Sequence, residues 1–227
     1  MTRTIHLKFL LSLMLLAVAF PALAETNAPV SKSKWENEIH AFEVKDRTNP
    51  PPQHAILFLG SSTIRKWKTL AEDFPGKTVI NRGFGGSQIG DSTELADRIV
   101  FPYNPKIIVF YAGDNDLAAG KTPDQVVAEY EAFVKKVHTR LPDTRIIYIS
   151  IKACNARWKL RDKVMDVNNR IKAMTDPELS FVDIYPLMLG EDGKPRKDLL
   201  EADGLHPSRE CYQLWAPHIA AAIDQKS

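Results

Sequence analysis

Short apolar runs alternating with helical stretches predict an α/β chain, a three-layer α/β/α sandwich around an open, mainly parallel five-stranded sheet. The runs fall at 55–59, 78–80, 106–111, 145–151 and 180–184. Most are apolar throughout and do not alternate, as strands covered on both faces require. The composition agrees: 227 residues, 44% hydrophobic and 26% charged, is ordinary for a globular protein and excludes disordered, collagenous and multi-span membrane chains.

The elements follow in order. Residues 1–24 carry Arg3 and Lys8, then an almost wholly apolar stretch at 9–20, then Ala22-Leu23-Ala24. This is the pattern of a secretory signal peptide cleaved after Ala24. The apolar run is shorter than the ~20 residues a spanning helix needs. Removing Arg3 and Lys8 brings Lys plus Arg from 30 to 28, equal to the 28 Asp plus Glu. A neutral body gives no reason to expect nucleic acid or an anionic membrane as partner. Residues 25–32 are polar and read as a lead-in. At 33–46, Trp35, Ile39 and Phe42 recur at helical spacing, and Asn49-Pro50-Pro51-Pro52 stops the helix. The clearest helix is 123–140, with Thr122 as N-cap, Pro123 at its first position and Gln125 closing a capping box. Its stripe is Val126, Val127, Tyr130, Phe133, Val134 and Val137. Helices at 161–174 and 208–223 complete the pattern. Cys154 and Cys211 are the only cysteines, and we read them as packed thiols, with a disulfide as the alternative.

In an open parallel sheet the ligand site lies beyond the carboxyl ends of the strands. Four loops there carry reactive residue types: Gly60-Ser61-Ser62-Thr63-Ile64, Asn81-Arg82-Gly83-Phe84-Gly85-Gly86-Ser87, Ala112-Gly113-Asp114-Asn115-Asp116 and Asp203-Gly204-Leu205-His206-Pro207. Each alone reads as a cap or turn. Together they supply what acyl transfer requires. A serine hydroxyl needs a base, histidine is the natural base, and a carboxylate three residues before it fixes its orientation. A Gly-rich loop and an Asn amide offer donors to a developing oxyanion. Arg65, Trp67, Arg82 and Trp158 lie in or after these loops and fit either a pocket wall or ordinary core and surface roles. His40, His54, His138 and His218 lack an Asp at matching spacing and are read as structural.

In order and content these blocks resemble the SGNH hydrolases, the GDSL-like lipases and esterases, over about 55–215. The resemblance implies the flavodoxin-like SGNH fold. It implies Ser62, Asp203 and His206 as catalytic residues and an oxyanion hole from Ser62, Gly86 and Asn115. The organisation becomes 1–24 signal peptide, 25–48 lead-in and helix, and 49–227 esterase domain. The implied activity is ester hydrolysis; with no long apolar insertion to form a lid, small or short-acyl esters such as acetyl esters or lysophospholipids are expected, and the signal-peptide pattern makes the enzyme exported, periplasmic or secreted. A small-molecule ester is the expected partner, with no metal or organic cofactor and no membrane span after signal cleavage. Two departures stand out: Ser61 where the family has Asp, and Asp114 where many members have Gly, which is expected to face solvent. The Gly-x-Ser-x-Gly elbow is absent, since Ile64 occupies its last position. Two other readings stay open: a metal-dependent phosphoesterase on Asp114, Asp116, Asp203 and His206, and a non-catalytic binding protein on the same fold.

Overall fold

The computed structural model describes residues 34–225. The expected signal peptide at 1–24 and the lead-in at 25–32 lie outside the described residues. Strands β1 (Ile56–Gly60), β2 (Val79–Gly83), β3 (Ile107–Tyr111), β4 (Arg145–Ile149) and β5 (Leu179–Val182) form one sheet in the order β2-β1-β3-β4-β5. Every pairing is parallel, with Gly60 opposite both Gly83 and Tyr111. The chain steps outward from β1 to β2, then returns past β1 to β3 and continues the other way. The carboxyl ends of β1 and β3 therefore border the switch point, where successive crossovers diverge and leave a crevice.

The helices are α1 (Glu36–Thr48), α2 (Ser62–Arg65), α3 (Leu70–Asp73), α4 (Ile89–Glu94), α5 (Ala96–Ile99), α6 (Asp114–Ala118), α7 (Pro123–Arg140), α8 (Arg161–Lys172) and α9 (Arg209–Asp224). They cover both faces of the sheet, as successive side chains of β3 make plain. Phe110 stacks on Phe133 of α7 at 4.4 Å, whereas its neighbour Tyr111 lies 6.2 Å from Trp215 of α9. The α9 side is closed by a cluster in which Trp67 stacks on Tyr212 at 4.6 Å and meets Phe58 edge-on. The capping box expected for α7 is formed, Gln125 N–H donating to Thr122 Oγ1 at 3.3 Å and Thr122 N–H to Gln125 Oε1 at 2.9 Å.

The differences from the sequence reading are local. β2 runs on through Asn81 and Arg82 to Gly83. At this edge of the sheet Arg82 finds Tyr103, the Asp46 carboxylate and the Asn81 carbonyl as partners, so a polar residue is accommodated in a strand. β4 stops at Ile149, and the Ser150 hydroxyl accepts from the N–H groups of Ile184 and Tyr185. Cys154 and Cys211 are free, buried thiols, as read from the sequence. Among the described residues no helix is long and apolar enough to cross a membrane.

Candidate active site

The site starts at the end of β1. Gly60 has φ +138°, and a Cβ there would lie 1.9 Å from the Tyr111 carbonyl oxygen, so only glycine lets β1 turn this close to β3. Ser61 follows as the N-cap position of α2. Its side chain is fully buried and its carbonyl accepts from the Ile64 and Arg65 N–H groups. Ser62, first in the helix, points the other way, its Oγ 2.9 Å from His206 Nε2 across 144 positions of sequence. Of the two adjacent serines, Ser62 is the one that meets the imidazole.

Asp203 and His206 come from one tight loop before α9. Asp203 Oδ2 lies 2.5 Å from His206 Nδ1, while its Oδ1 accepts from the Leu205 and His206 N–H groups at 2.9 Å each. Two of the three bonds are to backbone, so the carboxylate shapes the turn as well as the ring. Partial burial disfavours its charge. The His206 side-chain bond and the two backbone N–H groups outweigh that and hold the carboxyl well below its ordinary range. Ser208 then caps α9, its Oγ accepting from Cys211 N–H at 3.3 Å.

The loop after β2 is clamped from two sides. From α1 and its cap, Trp35 Nε1 donates to the Gly85 carbonyl at 2.7 Å, and the Gly85 N–H reaches Glu38 at 3.3 Å. The Trp35 ring also meets Phe84 edge-on at 5.4 Å. From α6, Asn115 Nδ2 donates to the Ser87 carbonyl at 2.9 Å and Asp116 Oδ1 accepts from Ile89 N–H at 3.2 Å. Between the clamps Gly86 takes φ +71°, a conformation that favours glycine.

Asp114 does not face solvent. It is 6% exposed and sits in a buried charge cluster. Lys152 Nζ lies 3.1 Å and Arg157 Nη1 3.2 Å from its Oδ2, and Tyr111 donates to the same oxygen at 3.2 Å. Burial opposes ionisation of Asp114, but the two cations outweigh it and lower its pKa. Burial likewise opposes the charge on Lys152, and the surrounding Tyr111 and Asp114 hold it protonated. An isolated carboxylate at this depth is not tolerated, so the two basic residues of the β4 loop are what the departure at 114 demands. Asp116 is tied to Lys121, which also pairs with Glu129.

The four ligands of the metal-dependent alternative are therefore not gathered: Asp114 and Asp116 are each paired with lysines, and only Asp203 and His206 meet. Among the described residues Glu201, Asp203 and His206 have oxygen or nitrogen atoms within 4.8 Å of one another. Glu201 is paired with Lys66, and His206 uses both ring nitrogens within the protein.

Trp67 is core, 1% exposed, and Arg82 is buried along β2 against Tyr103 and Asp46. Arg65 pairs with Glu38 beside the Gly85 loop, and Trp158 lines a small apolar cavity with Cys154 and Tyr185. His138 contacts the Thr144 carbonyl and His40 the Glu43 carboxylate, as structural histidines do. Trp35, Glu38, Lys152 and Arg157 lie outside the four motif loops yet contact them. A signal for Lys152 was present, since a lysine directly follows the apolar run of β4 at the sheet's site-bearing edge.

Comparison with known proteins agrees with this architecture. Residues 57–214 match the model of the GDSL-like Lipase/Acylhydrolase family. The chain is 28% identical over 194 residues to the platelet-activating factor acetylhydrolase IB subunit alpha1 of Bos taurus, covering 79% of this chain and 78% of that one. A GDSL-like lipase from Bacteroides thetaiotaomicron superposes with TM-score 0.68 at 20% identity, over 82% of this chain and 97% of that one. An acetyl-xylooligosaccharide esterase from Geobacillus superposes with TM-score 0.63 at 16% identity, over 78% and 96%. The chain thus belongs to the GDSL-like lipase/acylhydrolase family and is a hydrolase acting on esters.

Proposed function

We propose that the chain is a serine esterase in which Ser62 is the nucleophile, His206 the general base and Asp203 the group that orients it. The observation that carries this reading is the unbroken contact from Asp203 Oδ2 through the imidazole to Ser62 Oγ, at 2.5 and 2.9 Å. As Ser62 Oγ bonds to the ester carbonyl carbon, its proton passes to His206 Nε2. The carbonyl oxygen becomes an oxyanion facing three donors: the Ser62 N–H, the Gly86 N–H and the Asn115 amide. The Ser62 N–H opens α2, where no intrahelical carbonyl reaches it. When the tetrahedral adduct collapses, the ester C–O bond breaks and the leaving alkoxide takes the proton from Nε2. Water then repeats the sequence on the acyl-enzyme and releases the acid and free Ser62.

Small acyl groups, acetyl above all, are the substrates we favour. Two relatives support this, one named as an acetylhydrolase and one as an acetyl-sugar esterase. The signal-like segment at 1–24 supports work outside the cytoplasm, in the periplasm or as a secreted enzyme. Purified protein assayed on p-nitrophenyl esters of increasing acyl length tests the reading. We expect the highest kcat/KM on acetate and a fall of roughly 10⁴-fold in kcat for Ser62→Ala. Parental activity in Ser62→Ala would overturn the assignment of the nucleophile. A preference for long acyl chains would overturn the substrate class.

A further inference from the structure

We propose that Arg157 is a positioning residue that fixes the direction of the Asn115 side-chain amide and so aims its remaining N–H at the oxyanion. This rests on the reading of Asn115 as an oxyanion donor. A primary amide is nearly symmetric in shape, and its two ends differ only in whether they accept or donate. Asn115 lies between two partners that cannot change roles. Arg157 Nη2, which can only donate, faces Asn115 Oδ1 at 2.8 Å. The Ser87 carbonyl, which can only accept, faces Asn115 Nδ2 at 2.9 Å. Turning the amide over would set NH₂ against a guanidinium and oxygen against a carbonyl, losing both bonds together. One N–H of Nδ2 is used by Ser87, and the other is left to meet a ligand.

Arg157 is held in turn. Its Nη1 lies 3.2 Å from Asp114 Oδ2, and Asp114 is anchored by Lys152 at 3.1 Å and Tyr111 at 3.2 Å. Lys152 Nζ also approaches Thr63 Oγ1 at 3.4 Å, one residue beyond Ser62. The cluster thus ties the loop after β4 to both the nucleophile helix and the oxyanion amide. With Lys152 and Arg157 positive against Asp114 it carries one surplus positive charge. A charged donor on Oδ1 withdraws electron density from the amide and strengthens the N–H opposite. Negative charge developing on the ester oxygen benefits from the strengthened N–H, whereas a neutral bound ester gains little.

The test is a kinetic cycle of Arg157→Ala, Asn115→Ala and the double variant on p-nitrophenyl acetate, with Tm measured for each. Asn115→Ala should lower kcat by about 10²–10³-fold. Arg157→Ala should lower kcat by roughly 10–100-fold with KM within about twofold, and add less than about threefold in the Asn115→Ala background. Arg157→Lys guards against misfolding. It keeps a cation against Asp114 and a parental Tm, but it lacks the rigid planar fork whose Nη1 and Nη2 face Asp114 Oδ2 and Asn115 Oδ1 separately, so kcat still falls about tenfold. Asn115→Ala slow but both Arg157 variants at parental kcat would overturn this inference alone. So would losses that multiply in full in the double variant, because Arg157 would then act independently of the amide. Asn115→Ala at parental kcat would overturn the oxyanion reading, and this inference with it.

Discussion

Replacing Asp203 by Asn should leave the fold intact and nearly abolish turnover, and the structure says why. Oδ1 accepts two backbone N–H bonds, from Leu205 and His206, while Oδ2 meets only His206 Nδ1. An asparagine here keeps its oxygen on the two backbone donors, since the opposite orientation sets NH₂ against both and forfeits about 0.5–1.5 kcal/mol per bond. Its NH₂ then faces Nδ1 and forces that nitrogen to accept. The ring proton moves to Nε2, the atom 2.9 Å from Ser62 Oγ, where an N–H cannot take a proton from serine. Inversion of this tautomer costs on the order of 10⁴-fold in kcat, about 5.5 kcal/mol of activation free energy. The assay is p-nitrophenyl acetate hydrolysis beside thermal unfolding. A kcat within tenfold of the parent, at unchanged Tm, would refute the reasoning, because the imidazole would then need no carboxylate to orient it.

Other consequences are open to direct measurement. Asp73 accepts from Trp67 Nε1 at 2.6 Å and takes two bonds from Arg209 at 2.7 Å, joining α3 to the start of α9. Asp73→Ala should cost about 3 kcal/mol and lower Tm by roughly 10 °C, with kcat of the folded protein unchanged, as urea unfolding and initial rates will report. Trp35→Phe removes the bond to the Gly85 carbonyl but keeps the ring against Phe84. If α1 holds the loop of Gly86, kcat should fall roughly fivefold, about 1 kcal/mol, at a similar KM. Burial, aided by a side-chain hydrogen bond to the Glu129 carboxyl, outweighs Lys121 and raises the Asp116 carboxyl from its ordinary 3.8 to about 6. The folded chain therefore holds that proton more tightly than the unfolded one. Its contribution to stability is full below about pH 4 and is lost as pH rises to about 6. In urea titrations Asp116→Asn should gain on the parent across that window, and equal slopes for the two proteins would contradict the assignment.

The parallel sheet was legible because buried strands leave unbroken apolar runs. β3, fully buried over Ile107–Tyr111, was the plainest. The helix Pro123–Arg140 was legible at both ends, since its capping box and its stripe lie within one stretch of sequence. The five helices of four to six residues, α2 to α6, were not, for such pieces are too short to display a period. The extension of β2 was hidden for another reason: Arg82 is satisfied by partners from α1 and from Tyr103, which no local pattern reveals. The site divides in the same way. Ser62, Gly86, Asn115, Asp203 and His206 could be singled out because each falls in a short motif just after a strand or just before a helix, and the structure brings Asp203, His206 and Ser62 into contact. The fate of Asp114 was misjudged because its cations, Lys152 and Arg157, lie 38 and more positions away and reach it only through the fold. Trp35 and Glu38 were missed because α1 lies outside the four blocks and touches the Gly85 loop only in three dimensions.

The most direct test of the central claim is the site of covalent capture by an alkyl fluorophosphonate, read by tandem mass spectrometry of the labelled peptide. The reagent phosphonylates a serine whose proton a neighbouring base removes, with fluoride leaving. We predict one adduct, on Ser62, retained in Ser61→Ala and lost in both Ser62→Ala and His206→Ala. An adduct on Ser61, or labelling that survives in Ser62→Ala, would contradict the account.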